Sequence, residues 1–105
     1  MKDYRLHQQP PKSPPPLALS ERIRRYLEVC PPAISGQNGH TQTFKVALAL
    51  VRGFNLNQKQ ALEFLRDYNA AKCEPAWSER ELKHKLKDAD RDTGRNTKKP
   101  RGYLL

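Results

Sequence analysis

The chain has 105 residues, 36% of them hydrophobic, and its 20 Lys and Arg outnumber 11 Asp and Glu to give a net charge of +9. That length allows one domain around one modest core. The longest apolar stretch, Val46–Val51, falls far short of the roughly 18 residues that cross a bilayer, and the polar start lacks a signal core, so a soluble, cytoplasmic protein with no membrane partner is expected.

In chain order, the segment before Leu17 holds five prolines and no apolar period, and reads as a disordered or polyproline-like arm. Pro11 and Pro14 stand at the spacing of a Pro-x-x-Pro ligand, although a plain linker has the same composition. A first helix is expected from Ser20, as its cap, to Val29. Ile23, Tyr26, Leu27 and Cys30 form one face, and Pro31-Pro32 end it. Ala33 to His40 reads as a loop in which Gly36 and Gly39 permit unusual backbone angles. Its amides suit an anion, with His40 in reach of a phosphate, or else the loop is a tight turn feeding a helix. It lacks the Gly-Lys-Ser/Thr ending of a nucleotide-binding loop.

The second helix is expected from Thr41 to Arg52, apolar on most sides and therefore central, with Gly53 as its stop. Asn57 caps a third helix, with Gln60 at the box position and Ala61, Leu62, Leu65 and Tyr68 on the buried face. The fourth helix has the clearest start. Ser78 caps it, Glu81 closes the capping box, and Trp77 is spaced to staple onto Leu82. Leu82, Leu86 and Ala89 then face inward, while Arg80, Lys83, Lys87 and Arg91 recur at steps of three and four on another face. No strand is required anywhere.

These elements define an all-α fold, a compact four-helix domain over residues 18–92. It lies between the proline-rich arm at 1–17 and a flexible basic tail at 93–105. Cys30 and Cys73 each end a helix and read as small buried thiols; a disulfide becomes possible only if the two helix ends meet. Neither Cys-x-x-Cys nor His-x₃-His spacing occurs, so no metal or other cofactor is expected. Ser35, His40 and a carboxylate match no arrangement of catalytic roles, and most acidic residues sit beside Lys or Arg at helical spacing, as on a solvated face. A non-catalytic protein with no small-molecule substrate is the expectation.

Two binding readings follow. Arg80, Lys83, Lys87 and Arg91 can track a phosphate backbone, with Lys98, Lys99 and Arg101 adding non-specific attraction from the tail; the bland reading of the same residues is a solubilising face. Trp77, Tyr68 and Tyr103 can stack on bases. Alternatively, the domain is an adaptor that docks on a protein partner, its charge incidental.

The run Pro31-Pro32-Ala33-Ile34-Ser35-Gly36-Gln37-Asn38-Gly39-His40, the Phe44–Phe54 helix, Tyr68-Asn69 and Pro75-Ala76-Trp77-Ser78-Glu79-Arg80-Glu81-Leu82 together resemble a known module. It is the helical accessory domain found C-terminal to the primase-polymerase core in phage and mobile-element primases, often just before a helicase. In that family a Gly-x-Gly-His or Gly-Gly-Arg loop precedes the central helix, and a Cys-x-Pro-Pro-hydrophobic-Ser-x-x-Glu-Leu start opens the last one. Cys73-Glu74-Pro75-Ala76-Trp77-Ser78 departs only at Ala76, where a second proline is usual. The resemblance spans Leu19 to Arg91, and Arg101-Gly102-Tyr103-Leu104-Leu105 looks like the linker that follows. It implies a place beside DNA replication, positioning a primase or helicase on single- or double-stranded DNA, without an activity of its own.

Overall fold

The computed structural model describes residues 16–92 and 99–105. The expectations for most of the proline-rich arm, including Pro11 and Pro14, and for Lys98 lie outside those residues. Four α-helices make up the fold: α1 (Leu17–Val29), α2 (Gly39–Leu48), α3 (Gln58–Lys72) and α4 (Glu79–Asp90). Among the described residues no helix is long and apolar enough to cross a membrane.

Both predicted capping boxes form. Asn57 Oδ1 accepts from the Gln60 N–H at 2.8 Å, and Gln60 Oε1 accepts from the Asn57 N–H at 3.1 Å. Ser78 Oγ accepts from the Glu81 N–H at 3.1 Å, and Glu81 Oε1 from the Ser78 N–H at 2.9 Å. Each box satisfies donors that a helix start leaves orphaned. The expected cap of the first helix is corrected. α1 begins at Leu17, and Ser20 is buried inside it with its N–H bonded to the Pro16 carbonyl at 2.9 Å. Pro16 takes the cap position with extended ψ (150°) and no side-chain cap bond, and the apolar Leu17 and Leu19 extend the helix one turn before Ser20.

The core gathers Ile23 and Leu27 of α1, Val46, Ala47 and Leu48 of α2, Ala61, Leu65 and Tyr68 of α3, and Leu82, Leu86 and Ala89 of α4. α3 and α4 also meet at the surface, where Arg66 forks across both oxygens of Glu79. The expectation that no strand exists is also corrected. β1 (Ala33–Ile34) and β2 (Cys73–Glu74) pair in parallel, Ala33 opposite Cys73. Both two-residue strands leave helix ends at Cys30 and Cys73, so the bridge ties α1 to α3. Cys30 and Cys73 are buried free thiols, and burial pushes both up from the ordinary thiol value.

α2 starts at Gly39 rather than Thr41 and gives way to one π-helical turn, Ala49–Gly53, closed by the Phe54 N–H on the Ala49 carbonyl at 2.8 Å. The carbonyls exposed by that end accept from N–H groups far along the chain. The Gly102 N–H donates to the Arg52 carbonyl at 2.6 Å and the Leu104 N–H to the Gly53 carbonyl at 2.9 Å. Arg101 reaches the Asp90 carboxylate at 2.8 Å, and Arg22 of α1 donates to the Leu104 carbonyl at 2.7 Å. The described part of the supposed flexible tail is therefore a strap docked on three elements. Leu104 packs against the core beside Gly53, where any Cβ would overlap it. α1 is finished in the same non-local way. Lys72 Nζ, from the last turn of α3, donates to the carbonyls of Leu27 at 3.0 Å, Glu28 at 2.6 Å and Cys30 at 2.5 Å, a cation on the negative end of a helix.

Candidate nucleic-acid interface

α4 presents its basic residues as the spacing requires. Steps of three and four residues return to nearly the same direction every turn, and Arg80, Lys83, Lys87 and Arg91 are all exposed. Eleven residues of helix rise about 16 Å, so the four charges form a line of that length. None of them makes an ion pair among the described residues. The acidic residues of α4 are engaged elsewhere: Glu79 by Arg66, Glu81 by the Ser78 cap, Asp88 by His84 at 3.3 Å, and Asp90 by Arg101. The Arg66 guanidinium holds the Glu79 carboxyl below the usual carboxylate value, and the Ser78 N–H and hydroxyl do so for Glu81. The Gln58 amide, helped by Arg101, holds the Asp90 carboxyl below the usual carboxylate value against the opposing effect of burial.

Among the described tail residues, Lys99 and Arg101 do not extend this line. Lys99 is exposed but sits over the Tyr103 ring at 5.1 Å, and Arg101 is committed to Asp90 and to the strap. Tyr103, expected to be free for stacking, is half-buried.

The loop before α2 is a turn. Gly36 and Asn38 take positive φ (84° and 64°), and the Gln37 N–H closes onto the Ile34 carbonyl at 2.9 Å. Gly39 is buried, and a Cβ there would come 2.7 Å from the Ile34 carbonyl oxygen. Its glycine is thus required by close backbone packing, whereas Gly36 is exposed with open space about it.

His40 leads instead to a cluster that the sequence reading did not assemble. Lys85 of α4 is only 5% exposed. Its Nζ lies 3.0 Å from His40 Nδ1 and 4.2 Å from the centre of the Trp77 ring. Trp77 is fixed from two sides. Its backbone pairs with the Asn69 side chain, which accepts from the Trp77 N–H at 2.8 Å and donates to its carbonyl at 3.0 Å. Its indole N–H donates to Thr43 Oγ1 at 2.9 Å, and that hydroxyl donates onward to the Gly39 carbonyl at 2.8 Å. With its one proton spent, Thr43 Oγ1 can only accept from Cys73 Sγ at 3.7 Å, which agrees with a thiol held protonated by burial. Trp77 is therefore a half-buried packing residue whose edge meets His40, not a free stacking platform. Burial also depresses the Lys85 ammonium below the ordinary lysine value, against opposing fields from Glu81 and Asp88.

Lys85 does carry a sequence signal. It stands three residues after Leu82 and four before Ala89, on the edge of the buried face. Reading α4 for its cations alone passes over it. A depression of about 610 Å³ joins this cluster to the exposed stripe. His40, Lys59, Arg80, Lys83, His84 and Lys87 line it with Lys85 and Trp77, and Glu81 is its one carboxylate.

Compared with family models, curated proteins and solved structures, the chain matches none.

Proposed function

We propose that this chain is a non-catalytic helical module associated with DNA replication or priming, and that it binds nucleic acid non-specifically through α4. The observation that carries the reading is the line of four exposed cations, Arg80, Lys83, Lys87 and Arg91, free of ion pairs among the described residues while the carboxylates beside them are engaged. Such a line meets phosphates without reading bases. The replication setting rests on the resemblance to the primase accessory domain. The tail contributes less than its composition suggests, because Arg101 faces Asp90. The adaptor reading draws no support from the exposed large apolar residues: Leu17 and Val29 sit at opposite ends of α1, about 18 Å apart, and the third, Leu105, lies against Gly102 at the end of the strap.

Fluorescence anisotropy with single-stranded and duplex DNA tests the proposal. Release of counterions from four phosphates predicts a slope of log K against log salt of about −2.8 on single strands and about −3.6 on duplex. Between about 50 and 200 mM salt, affinity should then fall between about 50- and 150-fold. Changing Arg80, Lys83, Lys87 and Arg91 together to Glu should abolish binding at the lower salt. Unchanged affinity in that variant would exclude α4 as the contact surface.

A further inference from the structure

Lys85 is the cation that the α4 stripe does not use. Taking an ammonium out of water is strongly disfavoured, and buried lysines are almost always paired with a carboxylate. Lys85 has no carboxylate within ion-pair distance among the described residues. The nearby acids on its own helix are occupied, Glu81 by the Ser78 N–H and Asp88 by His84. Its partners are one imidazole nitrogen and an aromatic face. Because the ammonium donates, His40 Nδ1 accepts, and the ring proton falls on Nε2. Two donors of one kind, a Lys85 N–H and the His40 Nε2–H, thus belong to residues that line the same cationic depression.

We propose that Lys85 and His40 form a binding site for a phosphomonoester dianion, and that its source is the terminal phosphate of a nucleic-acid strand lying on the α4 stripe. The strand assignment rests on the function proposed above; the phosphate site itself does not. Charge selects the ligand, since a phosphomonoester carries about −1.5 to −2 at neutral pH and a phosphodiester only one negative charge. Shape selects it again. An internal phosphodiester is flanked by sugars on both sides and stays on an exposed line such as Arg80–Arg91, whereas a terminal phosphate projects far enough to meet a lysine that is 5% exposed. The depression has the volume of a nucleotide-sized site, so a free mononucleotide offers the same group and is the competing source.

Trp77 is the chain's one tryptophan and stands against Lys85, so its emission reports on the site. The experiment is a calorimetric titration at about 50 mM salt, with Trp77 emission followed in parallel. Its ligands are one short single strand prepared with a 5′ phosphate, with a 3′ phosphate or with hydroxyls at both ends, together with a nucleoside 5′-monophosphate. A terminal phosphate should tighten strand binding by about tenfold, the scale of one charge-assisted hydrogen bond, and should perturb Trp77 emission. Lys85→Met should erase that preference while leaving affinity for the hydroxyl-ended strand at the wild-type value. His40→Ala should do the same, and serves in its place if Lys85→Met does not fold. Equal affinity for phosphorylated and hydroxyl-ended strands would overturn the proposal. Mononucleotide binding as tight as that of the phosphorylated strand would overturn the strand assignment. Should the hydroxyl-ended strand fail to bind at all, the α4 reading falls by itself. The phosphate site is then judged by the mononucleotide, and the lack of a Lys85-dependent emission change would overturn it.

Discussion

At the scale of single residues, Lys85 sets stability against position. Its desolvation costs several kcal/mol, and the face of Trp77 and the hydrogen bond to His40 Nδ1, worth about 2 kcal/mol each, offset only part of it. Lys85→Met, which keeps an unbranched apolar stem one atom shorter and removes the charge, should therefore stabilise the protein at neutral pH by about 1 kcal/mol, read as a higher urea midpoint. The sign of the pH dependence follows from the depressed pKa. The unfolded chain holds the lysine proton to a higher pH than the folded one, so stability rises with pH as the folded value is passed, and the full cost applies below it. The groups around this amine are Glu81 and Asp88 on α4, His40 on α2 and Cys73 on β2. All are retained in the variant, so the difference between wild type and Lys85→Met should narrow from neutral pH toward the ordinary lysine value of 10.5. A constant difference would assign it to packing alone.

At the scale of elements, what was legible in the sequence divides by distance along the chain. The N-terminal caps of α3 and α4 are local, each made within four residues, and both were readable from Asn57-x-x-Gln60 and Ser78-x-x-Glu81. The C-terminal ends were placed as well, by Pro31-Pro32 after Val29 and by Gly53, but the groups that complete them were not. Lys72 finishes α1 from more than 40 residues away, and residues 101–104 cover the end of the π-helical turn from about 50. No pattern within a helix announces a partner held there by tertiary packing. The candidate site divides likewise. The stripe on α4 follows from one helical period, but the Lys85–His40–Trp77 cluster joins three segments that only the folded chain brings together. The caps give a direct test: Ser78→Ala should cost about 1 kcal/mol by thermal unfolding. The Glu81 carboxyl, lowered in the folded state, contributes stability above the ordinary carboxylate value that is lost as pH falls through its folded value. Glu81→Gln keeps the box and has nothing to titrate, so its acid unfolding should be shallower than that of the wild type.

At the scale of the whole molecule, the strap makes the domain larger than its helices. Gly53→Ala should dislodge Leu104, because the new methyl takes the place of the leucine tip. Each helix keeps its own backbone hydrogen bonds in the closed state, so far-UV dichroism should stay unchanged while trypsin cuts after Arg101 faster than in the wild type. An unaltered cleavage rate would mean that the strap holds without Leu104. Arg22 gives this contact a wider reach, since it hangs the second turn of α1 on the Leu104 carbonyl. Two stretches some eighty residues apart thus share one opening event rather than fraying independently. Amide hydrogen exchange should find the backbone of α1 and the Gly102 and Leu104 amides released together, in a unit distinct from α3 and α4. Ending the chain at Pro100 should speed exchange across α1, the helix farthest from the cut in sequence.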